Sequence, residues 1–423
     1  MIKFIIKGLL RDKSRSKLQI FIVAMGVFLT VAISGYLKGV TSDMMNETAR
    51  LKSGHVRITT KAYLEKEKNL PINFSICNYE NLVSELKKDF PEFSWTGRTY
   101  FRGTILYRNS SENTKQGPFI GLGLELNSNG GDEIKRLNLN KSISKGKLPE
   151  VYNEILIGEK FANRIKIKPG DKLKFITQNK DKLSVSKEFV VAGTIKYGVN
   201  TMDNALIILN QNEAAKLLEL ENCCTEILGF LKSGFYDNDI CEKTQINFNK
   251  KFHDTNNPQS PFMSKMKDDP EFGFYIEYME SFTGLMSLIL IIILSVVLWN
   301  AGLLSGLRRY NEFGVRLAMG EEKSQIFKTL ISEAFVIGII GSVAGTILGI
   351  GVTLILQRYG INITGMMQGG TMIMPDVIRA KYTNELLYIG FIPGVIAMLI
   401  GNALSGTMIF RRRISLLLKE LEI

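Results

Sequence analysis

The sequence predicts an α-helical membrane protein with four transmembrane helices and a large α+β extracytoplasmic domain between helices 1 and 2. Three observations carry that expectation. First, charged residues make up 22% of the 423 residues, yet stretches 18–37, 281–307, 334–357 and 386–410 contain no Asp, Glu, Lys or Arg. Each holds at least 20 residues, about the length an α-helix needs to cross a bilayer. Lipid admits only helices or closed barrels, and alternating barrel patterning is absent here. Second, Lys and Arg crowd the same side of every predicted span. Third, the long segment between the first two stretches mixes strand and helix patterns with charged turns.

In chain order, residues 1–17 are expected to form a cytoplasmic amphipathic helix. In "IKFIIKGLL" (2–10), Ile2, Ile5, Ile6, Leu9 and Leu10 share one helical stripe, with lysines opposite. Residues 18–40 are the first span. Its uncharged length and the poor cleavage context "SGYLKGVTS" favour an anchor over a removable leader. Residues 41–278 are the extracytoplasmic domain, long enough for two subdomains. Strands are expected at 55–59, 103–108, 154–158, 171–177 and 187–195, with a turn at Pro169-Gly170-Asp171 and helices at 79–90 and 210–220. The aromatic-rich run 270–282 suits a membrane interface as the second span (279–307) begins. A short cytoplasmic loop helix (308–326), the third span (327–357), an outer loop (358–385), the fourth span (386–410) and a cytoplasmic tail (411–423) complete the chain.

Orientation follows from the short loops. Lys3, Lys7, Arg11, Lys13, Arg15 and Lys17 precede the first span against a single Asp12. Arg308, Arg309, Arg316, Lys323 and Lys328 follow the second, and Arg411, Arg412, Arg413 and Lys419 follow the fourth, whereas 358–385 holds only Arg358, Arg379 and Lys381. Both termini and the 308–333 loop are therefore expected in the cytoplasm. The formal net charge of +12 is largely this topology signal. Without interleaved aromatics it does not indicate nucleic-acid binding.

Chemistry-bearing residues are sparse. Cys77, Cys223, Cys224 and Cys241 all fall in the outer domain. They permit three pairings, show no metal-ligand spacing and single out no disulfide. His55 sits in a strand-like run with a structural role, and His253 in a polar loop, solvated. No nucleophile–base or paired-carboxylate spacing suggests catalysis. The Met-rich run 364–374, with Met366, Met367, Met372 and Met374, suits either packing or contact with an acyl chain.

The segment "RRYNEFGVRLAMGEEKSQIF" (308–327) separates two spans. On a helix, Tyr310, Phe313, Gly314, Leu317 and Ala318 share one stripe, while Glu312 and Arg316 lie on other faces. Gly320 is placed to end that helix, and Glu321 and Glu322 sit at the favourable N-terminal end of the next. Beyond it, Gly341, Gly345 and Gly349 recur every four residues, a spacing that lets helices approach closely in lipid. Glu333 lies at the mouth of that span.

The run 311–351 resembles the permease domain of MacB/FtsX/Lol-type transporters, matching its pattern at Glu312, Gly314, Arg316, Ala318, Gly320, Glu333 and Ala334. The outer segments around Asp171, Gly193, Asp203 and 215–218 are similar to lipoprotein-releasing permeases, which implies a MacB-like periplasmic core domain. The resemblance implies an ABC-transporter permease working by mechanotransmission in a bacterial inner membrane and releasing lipoproteins. It implies that Glu312, Phe313, Gly314, Val315, Arg316, Leu317, Ala318 and Gly320 couple to an ATPase, that Glu333 supports them, and that Gly341, Gly345 and Gly349 pack helices. The sequence has no G-x-x-x-x-G-K-[ST] phosphate loop. The chain itself is thus expected to be non-catalytic and cofactor-free, with ATP bound by a separate ATPase subunit and a second permease copy or paralogue completing a dimer. One departure is the short, proline-free segment 178–188, where the chaperone-recruiting subunit carries a hook. Alternatives are MacB-type efflux of peptides or drugs, an FtsX-like regulator of a cell-wall hydrolase, and a receptor unrelated to ATP.

Overall fold

The computed structural model describes residues 13–108, 114–126, 131–362 and 377–411. The amphipathic stretch 2–10, the Met-rich run 364–374 and the tail from 412 lie outside the described residues. Among the described residues, four helices are long and apolar enough to cross a membrane: Lys17–Ser53, Phe272–Leu307, Lys323–Tyr359 and Leu386–Thr407. Between the first two lies a large domain of mixed strands and helices. The described chain divides into two compact units. One comprises the residues up to Asp43, Tyr278–Asn362 and those from Val377 onward; the other is Met44–Glu277.

The outer unit is built on strands β1 (Val56–Thr60), β2 (Ile76–Cys77), β3 (Phe93–Arg108), β4 (Thr114–Leu124), β5 (Ile143–Gly146), β6 (Glu154–Gly158), β7 (Lys172–Gln178), β8 (Ser184–Ile195), β9 (Leu206–Asn210), β10 (Cys223–Cys224), β11 (Glu226–Leu231) and β12 (Pro261–Lys265). Ten of them form one sheet in the order β12-β1-β11-β3-β4-β9-β6-β8-β5, with β7 bridging β3 and β8. β3 pairs β11 over its first residues and β4 over its last, so one strand carries the sheet across two cores. Around its start, Val56, Ile58, Trp95 and Phe248 pack together. Further along, Phe101, Phe119, Phe175 and Phe189 pack edge-on or tilted with centroid spacings of 4.5–5.8 Å. Alternate residues of β6 and β9 face opposite sides: Ile155, Ile157, Ile207 and Leu209 enter the aromatic core, Leu156 and Ile208 another. Burial on both faces explains why "EILIG" and "LIILN" are unbroken apolar runs rather than alternating ones. The short 178–188 segment holds the turn of the β7–β8 hairpin (179–183) and the paired start of β8.

The sequence leaves the pairing of the four cysteines open. Cys77 and Cys223 are joined in a disulfide across the two-residue ladder β2–β10, leaving Cys224 and Cys241 buried as free thiols. The pair is 146 residues apart, so only the fold reveals it. His253 is also not simply solvated: its Nδ1 lies 3.0 Å from Ser260 Oγ and its ring meets Phe262 edge-on.

His55, buried at 3% exposure, accepts the Leu231 amide on Nδ1 at 3.0 Å, which fixes the neutral ring. Burial, aided by the nearby Arg136 charge, pulls its pKa from 6.5 to about 4. A depressed folded-state value means stability is complete above the unfolded pKa and drains as pH falls from 6.5 toward 4. The outer unit is expected to lose about 2 kcal/mol between pH 7 and pH 5 from this residue. Denaturant midpoints at the two pH values should differ less in His55→Asn, which keeps an acceptor but cannot titrate.

In the other unit, Gly341, Gly345 and Gly349 lie against Val23, Val27 and Val31 of the first long helix. A Cβ on Gly345 would sit 2.4 Å from the Ala24 carbonyl oxygen, and one on Gly341 or Gly349 2.7 Å from a valine Cβ. Gly351 has nothing within 4 Å. Gly345→Val is therefore expected to destabilise the unit by about 2–3 kcal/mol through forced helix separation, and Gly351→Val to leave it near wild type. Thermal midpoints in detergent distinguish the two. The fourth long helix contains a wide-turn segment, Ile392–Ala397, at Pro393. Proline removes an amide donor and displaces the preceding turn.

Candidate functional site

The stretch between the second and third long helices is a separate nine-residue helix, Tyr310–Ala318. Its end is set by Gly320. The Gly320 amide donates to the Leu317 carbonyl and the Glu321 amide to the Arg316 carbonyl, both at 3.1 Å, with Gly320 at φ +91°. This 6→1 and 5→2 pair is a Schellman stop, which requires a residue tolerant of positive φ. Lys323 then begins the next long helix.

Side chains hold the short helix in place from two sides. Phe313, 1% exposed, packs with Ile326 and Leu330, and Leu307 and Leu317 close the cluster. Arg309 donates to both carboxylate oxygens of Glu312, at 3.1 and 3.0 Å, and also to Glu333. Burial disfavours the Arg309 charge, but Glu312 and Glu333 outweigh it and hold the guanidinium above its ordinary range. Arg316 forks onto Glu321 at 2.7 and 2.6 Å. That hydrogen-bonded pairing raises the Arg316 pKa and lowers that of Glu321.

The predicted residues thus separate into two groups. Glu312 and Glu333 meet at Arg309, which the sequence assigns only to topology, and Arg316 pairs with Glu321; together they make the short helix rigid. Phe313 and Gly314 are buried beneath the helix, Leu317 half-buried. Ala318, on the same helical stripe as Phe313 and Gly314, is exposed. The outward surface consists of Val315, Ala318 and Met319, with Val315 47% and Met319 75% exposed. Met319 was not singled out by pattern, although an apolar residue just before a stop glycine is a visible anomaly. The glycines 341, 345 and 349 are a helix contact apart from this cluster. Among the described residues no group of three or more His, Cys, Asp or Glu is placed to hold a metal ion.

Residues 284–413 match the family model described as FtsX-like permease C-terminal. The matched stretch includes the short helix and the glycine stripe. A comparison with curated proteins finds no match. Among solved structures, the chain is similar to the periplasmic region of MacB from Actinobacillus actinomycetemcomitans. That likeness covers 51% of this chain and 93% of that one, at 12% identity and a TM-score of 0.32.

Proposed function

We propose that this chain is the permease subunit of an ABC transporter that works by mechanotransmission, paired with a second permease copy and served by a separate ATPase subunit. The observation that carries this reading is the short helix itself. It is braced by two ion-pair clusters and an aromatic anchor, yet it leaves Val315, Ala318 and Met319 uncovered between two membrane-length helices. Uncovered apolar side chains on a rigid element are what a docking partner uses. Both termini and this helix lie in the cytoplasm of a bacterial inner membrane, supported by the Lys/Arg distribution. The disulfide in the other unit agrees with an oxidising outer compartment. ATP is bound by the partner, and the chain needs no cofactor of its own. The substrate is a lipoprotein drawn from the outer leaflet, a reading that rests on the sequence resemblance of the outer domain to lipoprotein-releasing permeases.

Affinity purification of the tagged chain from native membranes in mild detergent, with mass spectrometry, tests this. Co-purification of a phosphate-loop ATPase together with lipoproteins supports both parts. An efflux adaptor or a wall hydrolase in place of lipoproteins would overturn the substrate, and absence of any ATPase would overturn the permease role.

A further inference from the structure

Within the unit Met44–Glu277, buried charge ties the last turn of the first long helix and the first turn of the second to the sheet. The first long helix ends in a five-residue wide turn, Ala49–Ser53, closed by the Gly54 amide on the Ala49 carbonyl at 2.8 Å. Its last carbonyls would be orphaned in an apolar setting. Arg98 on β3, with no exposed surface, supplies them: its Nη2 donates to the Arg50 carbonyl at 2.9 Å and its Nη1 to the Leu51 carbonyl at 3.4 Å. Its Nε is held at 3.0 Å by Glu133, which also pairs with Arg136.

The second long helix begins with the mirror arrangement. Asp269 caps it, accepting the Phe272 amide on Oδ1 at 3.2 Å. The other carboxylate oxygen lies 3.6 Å from Nη2 of Arg57 on β1. Arg57 is 5% exposed and forks onto Glu67 at 2.6 and 3.2 Å. Glu226 on the strand between stands opposite Arg98 in register and 3.9 Å from Arg57. Lys52, in the wide turn, lies 4.4 Å over the Phe272 ring. One layer of charge therefore runs from the end of one helix, across three strands, to the start of the other.

We infer that Arg98 and Arg57 are positioning residues for force transfer, clasping the two helix ends to the sheet so that the outer domain follows helix movement as one body. This rests on the permease reading above. Lone surface pairs would not serve, because they hold geometry weakly. Buried bidentate guanidiniums fix both distance and direction.

The test uses the full chain with its ATPase in proteoliposomes, labelled with a fluorophore at Val151→Cys, an exposed outer position. Two mild variants are compared. Arg98→Lys keeps the charge facing Glu133 but cannot span both helix carbonyls. Asp269→Asn keeps the cap and loses the charge facing Arg57. In a Trp299→Phe background, Trp95 fluorescence and an intact Cys77–Cys223 bond report folding. Each variant is expected to hydrolyse ATP within twofold of wild type while the nucleotide-dependent label signal falls at least fivefold. A wild-type signal in both folded variants overturns the clasp. If the wild-type complex itself gives no nucleotide-dependent signal, the permease reading fails and the clasp falls with it. An Arg57→Lys variant should reproduce the Asp269→Asn loss; retention of full signal there also counts against the inference.

Discussion

Removal of the Cys77–Cys223 disulfide is expected to lower the stability of the outer domain by about 3–5 kcal/mol. The bond closes a loop spanning 146 residues, and constraining so long a segment restricts the unfolded chain strongly. The ladder it bridges has only two residues per strand, so few other contacts replace it. The double substitution Cys77→Ala/Cys223→Ala avoids leaving a reactive thiol. Trp95 is buried at 6% exposure in a core of the outer unit. Since the chain has two tryptophans, Trp299→Phe makes Trp95 the sole reporter of unfolding in denaturant. A midpoint shift corresponding to less than 1 kcal/mol would mean that β2 and β10 are held by packing alone.

The second large effect concerns the short helix. Phe313→Ala removes the largest side chain from a cluster of five residues. Truncating a buried phenylalanine costs about 3–5 kcal/mol, and so small a cluster has little else to retain the helix. Local unfolding of 310–330 is expected, seen as faster amide exchange there and unchanged exchange in the outer domain. Val315→Asp and Met319→Asp should behave in the opposite way. Both side chains are exposed, so exchange and thermal midpoint stay near wild type while association with the ATPase is lost. If Phe313→Ala and Met319→Asp gave the same exchange pattern, the division between anchor and docking surface would be wrong.

The sequence made some of this legible for clear physical reasons. Uncharged runs mark long helices because a charge in lipid is expensive, and residues 154–158 coincide with β6 because both its faces are buried. β4 was missed. From sequence no strand is expected at "TKQGPFIGLGL", whose Gly121 leaves room for Phe101, where a Cβ would come within 2.2 Å of the ring, and Gly103 on β3 does the same for Phe119. Glycine in a strand signals close approach only once the neighbour is known. Arg98 is equally invisible, since an arginine within a strand-like run reads as surface until β3, β11 and the helix end converge on it. At the short helix, the pattern marked the right residues but could not say which face inward. Glu312 and Arg316 turn to Arg309 and Glu321, and the exposed face falls to Val315, Ala318 and Met319.

The most direct measurement is site-specific photo-crosslinking in native membranes from a probe placed at Met319, with a second at Val151 as an outer control. The account predicts an adduct between the Met319 probe and a cytoplasmic protein carrying a phosphate-loop motif, and none from Val151. Adducts from Met319 that contain no ATPase, or an ATPase captured equally from Val151, would contradict it.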